Sequence, residues 1–215
     1  MKWLDILEDV LWPRGVKCLC CDSLSEGELL CPDCRKGLAV MRLAAQDVGD
    51  ERVRSVFRHD GIAKDLVLRL KLECLADAAT VLAQYMTEEI RHMELPSNTL
   101  LTWVAMPERR RQERGIDHGR ILCEAVGALS GLQVKGVLKR TCKVHTQRGL
   151  GREERLRNLN GSFSCVEHLS CPVLLIDDVK TTGATISTCA EALVSAGATE
   201  VYALTATKAT LAPRK

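Results

Sequence analysis

Apolar residues fall along the chain in two rhythms. Val173-Leu174-Leu175-Ile176 is an unbroken apolar run, and Leu100-Leu101-Thr102-Trp103-Val104-Ala105 is one broken only by a threonine; such runs suit strands buried on both faces of a parallel sheet. Val53 to Phe57, Val134 to Leu138 and Val201 to Ala206 are further strand candidates. Between them apolar residues recur every three or four positions. Ile62, Leu66 and Leu70, then Leu75, Ala79, Leu82, Ala83 and Met86, predict one or two amphipathic helices, and further helices are expected over 117–129 and 184–196. Pro96-Ser97-Asn98 punctuates the series and Gly197-Ala198-Thr199 stops the last helix. Strands alternating with helices imply a parallel α/β sheet. Leu38 to Asp50 carries no strong strand signal, so a small unit over 1–45, an N-terminal helix followed by a cysteine-rich ribbon, is expected before an α/β domain over 46–215.

The segment from Pro172 to Thr185 places two aspartates after an apolar run and a hydroxyl-rich turn after the aspartates. The chain is expected to leave the sheet at Asp177. Thr181, Thr182, Gly183, Ala184 and Thr185 then enter a helix, and strand, tight loop and helix together make a phosphate cradle: first-turn N–H groups converge, the helix dipole favours an anion, and Gly183 admits close approach. Carboxylates beside a phosphate would repel it, so Asp177 and Asp178 must face another part of the ligand. Ribose hydroxyls, or hydroxyls bridged through a divalent cation, fit that requirement.

Charge changes the picture little, since the net charge is +2, and no apolar run is long enough for a membrane span. Residues 1–12 are too acidic for a signal peptide, so a cytoplasmic protein without membrane insertion is expected. Aromatic residues are only 3%, which argues against a stacking platform for nucleic acid. The eleven cysteines are more informative. Without a secretory signal they point to reduced thiols and a metal, not to a disulfide framework. Cys18, Cys21, Cys31 and Cys34 form C-x2-C-x9-C-x2-C, the spacing of a closed, tetrahedral, structural Zn2+ site. Cys20 is a fifth thiol beside them, but Cys18 keeps the two-residue spacing in both pairs.

Two more segments carry charge where ligands bind in open α/β sheets, beyond the carboxyl ends of strands. Met106 to Gly115 contains Pro107 and the four arginines Arg109, Arg110, Arg111 and Arg114, a set suited to a pyrophosphate because each guanidinium donates two hydrogen bonds. Lys139 to Gly161 is long, basic and glycine-containing, the composition of a mobile lid.

Leu175 to Thr185 resembles the phosphoribosyl pyrophosphate (PRPP) signature of type I phosphoribosyltransferases, with Lys180 standing where an apolar residue is common. That resemblance implies a type I phosphoribosyltransferase-like parallel sheet flanked by helices, ribose contacts from Asp177 and Asp178, and a 5-phosphate held by the Thr181–Thr185 loop. The whole chain resembles the ComF family, phosphoribosyltransferase-like proteins linked to natural competence that carry an N-terminal four-cysteine ribbon. Cys18, Cys21, Cys31 and Cys34 match the ribbon, Leu70-Lys71 the Leu-Lys after the first helix, and Pro107 with Arg114-Gly115 the arginine loop. Gln147, Leu150, Arg155, Asn158, Gly161 and Phe163 match a further family stretch. Where that family reads Phe-Asn-Gln, this chain reads Ile116-Asp117-His118.

The resemblance implies binding of PRPP with Mg2+ and transfer of phosphoribose to an acceptor the sequence does not name. Asp177, Asp178 and Arg114 are the expected catalytic residues; Pro107, Arg109, Arg111 and Lys71 join Thr181, Thr182, Gly183, Ala184 and Thr185 as expected PRPP-binding residues, with Arg109, Arg111 and Arg114 on the pyrophosphate. The alternative is a non-catalytic accessory protein of DNA uptake, with single-stranded DNA or competence-machinery proteins as partners.

Overall fold

The computed structural model describes residues 16–44, 47–49, 52–73, 75–107, 110, 112, 115–140 and 162–209. The expected N-terminal helix within residues 1–15, the boundary expected at 45/46, the arginines 109, 111 and 114, and residues 141–161 of the expected lid lie outside them.

Helix α1 (Pro32–Val40) opens with proline in its first turn and is capped by Cys31, whose sulfur accepts from the Cys34 amide. Strand β1 (Val53–Arg58) follows, then α2 (Gly61–Leu72) and α3 (Ala76–Ile90). The Asp60 side chain accepts from the Gly61 amide at the start of α2. Strand β2 (Leu100–Trp103) leads to α4 (His118–Ser130), and the chain continues through β3 (Leu138–Arg140), β4 (Phe163–Cys165), β5 (Val173–Lys180), α5 (Ala184–Ser195) and β6 (Val201–Lys208).

The main sheet has the order β1-β6-β5-β2 with every pairing parallel. Leu174, Ile176, Leu204 and Ala206 pack against α2, α3 and α4 on one face, and Val173, Leu175 and Ala203 pack against α5 on the other. The strands are apolar on both sides because both sides are covered. Leu174, Leu175 and Ile176 are fully buried, and each such side chain contributes about 1.5–3 kcal/mol. The expected parallel sheet flanked by helices is therefore observed.

Three expectations need correction. The chain does not leave the sheet at Asp177: β5 runs on to Lys180, with Asp177 opposite Thr205 and Val179 opposite Thr207 on β6. Val134 to Leu138 is not a strand. Val134 makes a single bridge to Leu101, Gly136 faces the Trp103 ring, and pairing resumes only at Leu138–Arg140, antiparallel to Phe163–Cys165. Asp117 is not the first residue of its helix but its cap, with Oδ1 accepting from the amides of Gly119 and Arg120.

The cysteine ribbon is built onto this body. Cys18, Leu30, Cys31, Cys34 and Leu38 belong to the same buried apolar cluster as Ala63, Leu66, Val67 and Leu70 of α2. Gly37 of α1 lies so close to α2 that a Cβ there would come within 2.6 Å of Ile62 Cδ1.

Candidate functional site

At the carboxyl ends of β1, β6 and β5 the apolar sheet becomes polar. Ser55, Thr205 and Thr207 are fully buried and linked. Ser55 Oγ lies 2.7 Å from Thr205 Oγ1, and Thr207 Oγ1 donates to the Asp178 carbonyl at 3.0 Å while lying 2.9 Å from His59 Nδ1. This seam of hydroxyls satisfies groups that would otherwise be costly to bury. Burial, followed by the charges of Lys71 and Lys64, lowers the His59 pKa.

Successive strand residues point to opposite faces, and this separates the two aspartates. Asp178, 6% exposed, faces α2 and α4. Its Oδ1 takes Lys71 Nζ at 2.7 Å and its Oδ2 takes His118 Nε2 at 3.0 Å. Burial alone would raise its pKa, but the His118 hydrogen bond and the Lys71 charge outweigh that and hold it below the usual carboxylate range. Lys71 reaches the site from the last turn of α2. Asp177 faces the α5 side, where its charge adds to burial in raising the Cys189 thiol. Its Oδ1 accepts from the Asp178 amide at 2.9 Å. Burial first, then the neighbouring Asp178 charge, push its carboxyl up to about 7.

The turn after β5 has the form of an anion cradle. Gly183 caps α5 at φ 81°, in the left-handed region that glycine tolerates, and supplies no side-chain cap to the first-turn amides. Thr182 Oγ1 accepts from the Ala184 amide at 3.3 Å. Lys180 does not pack into the core. Its Cε passes 3.7 Å from the Cβ position built on Gly183, which lays a cation along the loop.

The structure thus brings Lys71, Asp177, Asp178 and the loop of Thr181, Thr182, Gly183, Ala184 and Thr185 to one end of the sheet. Pro107 follows β2 at that end. Three further side chains there, His59, His118 and Thr207, have no local sequence signal. His118 sits at the first position of α4 because Asp117 caps that helix and also holds the Trp103 indole, whose Nε1 donates to Asp117 Oδ2 at 3.1 Å. The other imidazole nitrogen, His118 Nδ1, is buried with no hydrogen-bond partner among the described residues.

A second cluster lies in the ribbon. The sulfurs of Cys18, Cys21, Cys31 and Cys34 all lie within 4.8 Å of one another, with Cys21 and Cys31 at 3.6 Å. Four thiolates bound at about 2.3 Å from one ion sit roughly 3.8 Å apart, so the cluster is able to hold a metal ion. Cys20 is outside the group, and burial, with the Cys18 charge behind it, pushes its thiol up to about 11.

No protein-family model matches the chain. Curated relatives do. DNA utilization protein YhgH of Salmonella typhi is 27% identical over 214 residues, covering 93% of this chain and 92% of the relative. The protein of the same name from Escherichia coli (strain K12) is 26% identical over 216 residues, with the same coverage. Competence protein ComFC of Streptococcus pneumoniae (strain ATCC BAA-255 / R6) is 29% identical over 198 residues, covering 86% of this chain and 84% of the relative. The resemblance to the ComF family is borne out by these homologues, which match over most of the chain.

Among solved structures, the glutamine PRPP amidotransferase of B. subtilis complexed with ADP and GMP matches 60% of this chain at 18% identity and a TM-score of 0.40. This chain spans about a quarter of that enzyme, 26% of its length. The purine phosphoribosyltransferase of Pyrococcus horikoshii Ot3 matches 64% of this chain and 84% of its own at 14% identity, with a TM-score of 0.38. Likeness of this size adds nothing to the sheet order itself.

Proposed function

We propose that this chain binds PRPP with Mg2+ at the carboxyl ends of β5 and β6, as a phosphoribosyltransferase-like protein that serves natural competence or DNA uptake. The observation that carries the reading is the start of α5, whose Gly183 cap offers no side-chain acceptor, set one short turn after a strand that carries two aspartates with opposite surroundings near its carboxyl end. The amides of that turn suit a 5-phosphate. Asp177, with one carboxylate oxygen committed to the Asp178 amide, suits the ribose hydroxyls. Lys71, Arg109, Arg111 and Arg114 are assigned to the pyrophosphate, with Pro107 opening the arginine segment after β2.

Mg2+ binds through one or two carboxylates, substrate phosphates and retained waters, not in an all-protein cage. Asp177 and the phosphate cradle meet that requirement, and the ion would supply charge neutralisation of the departing pyrophosphate. In this reading the guanidiniums and Lys71 would serve as donors for the same developing charge. Zn2+ is assigned to Cys18, Cys21, Cys31 and Cys34, where four thiolates leave no open position and make it structural.

Calorimetric titration of the metal-loaded protein with PRPP tests the reading. The expected result is saturable binding that requires Mg2+ and is lost in the double variant Asp177→Ala, Asp178→Ala. Absence of binding up to millimolar PRPP would refute it.

The names of the relatives favour a second reading, single-stranded DNA held by the chain itself. A groove of about 830 Å³ beside Trp103 is lined by Arg120, Lys135, Lys139 and Arg140 together with Asp117 and Glu124, Arg120 and Lys135 being paired with Glu124 and Glu167. Binding through their phosphate contacts would weaken steeply with salt, which PRPP binding to the other site would not do to the same degree.

A further inference from the structure

Both oxygens of Asp178 are engaged in the free protein, one on Lys71 and the other on His118. If PRPP binds as proposed above, its pyrophosphate competes for Lys71, the one of these partners carried by a long flexible side chain and the more exposed of the two, at 27% against 17% for His118. A carboxylate as buried as Asp178 cannot be left with half its charge compensation. The imidazole beside it has an unused nitrogen, Nδ1, with no partner among the described residues.

The geometry points to His118 as a positioning residue for PRPP: when Lys71 leaves Asp178 for the pyrophosphate, His118 takes a proton on Nδ1 and becomes the cationic partner that keeps Asp178 ionised and in place. The balance is simple. One proton enters from solvent onto the imidazole for each PRPP bound, Nε2–H stays on Asp178 throughout, and no covalent bond changes. This inference rests on the PRPP reading and extends it to a residue at which the chain departs from the Phe-Asn-Gln pattern.

The other charged groups around the pair are accounted for. His118 shares α4 with Asp117 and Arg120, and Asp117 is committed to the helix cap and the Trp103 indole while Arg120 pairs with Glu124. From α2 come Lys71 and Lys64, and the latter acts on His59. From β5 comes Asp177, whose contact with ribose hydroxyls would release a proton, the opposite sign. His59, after β1, faces Lys71, Lys64, Asp60 and Asp178, but its Nδ1 is already engaged by Thr207. It is the competing acceptor, and the experiment separates the two.

Titration calorimetry with PRPP and Mg2+ in two buffers of different ionisation enthalpy counts the protons taken up per ligand. Wild type is expected to take up close to one proton more than His118→Gln, while His59→Gln matches wild type. Across the same pH range the affinity of wild type should strengthen relative to His118→Gln as pH falls, by up to about tenfold per pH unit for one linked proton. Nitrogen NMR of the wild-type histidines supplies a readout that needs no folded variant: the His118 ring should change from a neutral tautomer to imidazolium on addition of PRPP. Equal proton counts in wild type and His118→Gln, uptake that follows His59, or an unchanged His118 ring in the PRPP complex would each overturn the inference while leaving PRPP binding intact. No binding heat in wild type is the distinct signature that the PRPP reading itself has failed, and the inference with it.

Discussion

Replacing Asp177 by asparagine should stabilise the protein, and by an amount that depends on pH. Burial and the adjacent Asp178 charge push the Asp177 carboxyl from an ordinary 3.8 up to about 7. Each pH unit of such a displacement is worth about 1.4 kcal/mol, so holding this carboxylate ionised in the folded chain costs on the order of 4 kcal/mol. The unfolded chain gives up the proton near pH 4, whereas the folded chain keeps it until about 7. Between those values the folded state binds more protons, so stability falls by about 1.4 kcal/mol per pH unit as pH rises and then levels off. Asparagine cannot ionise, and its amide oxygen can still accept from the Asp178 amide, which now donates to Asp177 Oδ1 at 2.9 Å. Asp177→Asn and wild type should therefore be nearly equally stable near pH 4, with the variant increasingly ahead as pH rises, by on the order of 4 kcal/mol at pH 8. Urea unfolding followed by circular dichroism across that range measures the difference, in which the titrations of groups distant from Asp177 cancel. A gap that does not widen with pH, or a variant less stable than wild type at pH 8, would refute the assignment. Under the proposed function the same substitution should also weaken PRPP binding, measured by the calorimetric titration, which would make this a position where stability is given up for binding.

Two further outcomes test other parts of the structure. Cys18→Ser should reduce bound metal below about half an ion per chain, whereas Cys20→Ser should leave the content unchanged, because only Cys18 stands in the four-sulfur group; elemental analysis of protein purified without chelator decides. Gly136→Ala should destabilise by about 1–3 kcal/mol, since a Cβ there would lie 2.5 Å from Trp103 Cη2 and the indole is tied by its bond to Asp117; equal urea midpoints for the variant and wild type would show that the 134–137 segment yields freely.

Much of the site could be read in advance because its signals are local. The apolar run at Val173, the aspartates, the hydroxyl turn and the helix that follows are contiguous, and the cysteine spacing is set by two short turns. What escaped depends on partners distant in the chain. Asp177 looked like the end of a strand because charge interrupts the apolar run, yet β6 supplies Thr205 and Thr207 across from it and carries the ladder to Lys180. Those threonines read as ordinary strand residues, and only the fold turns them into a buried polar seam. His118 looked like a mere departure from a family pattern. Its meaning comes from Asp178, which lies on another element, and no periodicity in either segment announces the pair. The strand expected at Val134 failed for the opposite reason: its residues have strand character, but Gly136 is required beneath a tryptophan ring.

The shared core of ribbon and α2 has a consequence for how a metal held by the four cysteines would act on the protein. Sulfur ligands that melt on their own would leave the rest of the chain indifferent to metal supply. Here three of the four cysteines are buried among the residues that seat α2, and α2 delivers Lys71 to Asp178. An ion that binds only the folded chain adds its binding free energy to the whole, about 2.7 kcal/mol at a free concentration a hundredfold above its dissociation constant. Metal supply would then act as a dial on the abundance of competent sites, with scarcity thinning the population of folded molecules and leaving the survivors unaltered.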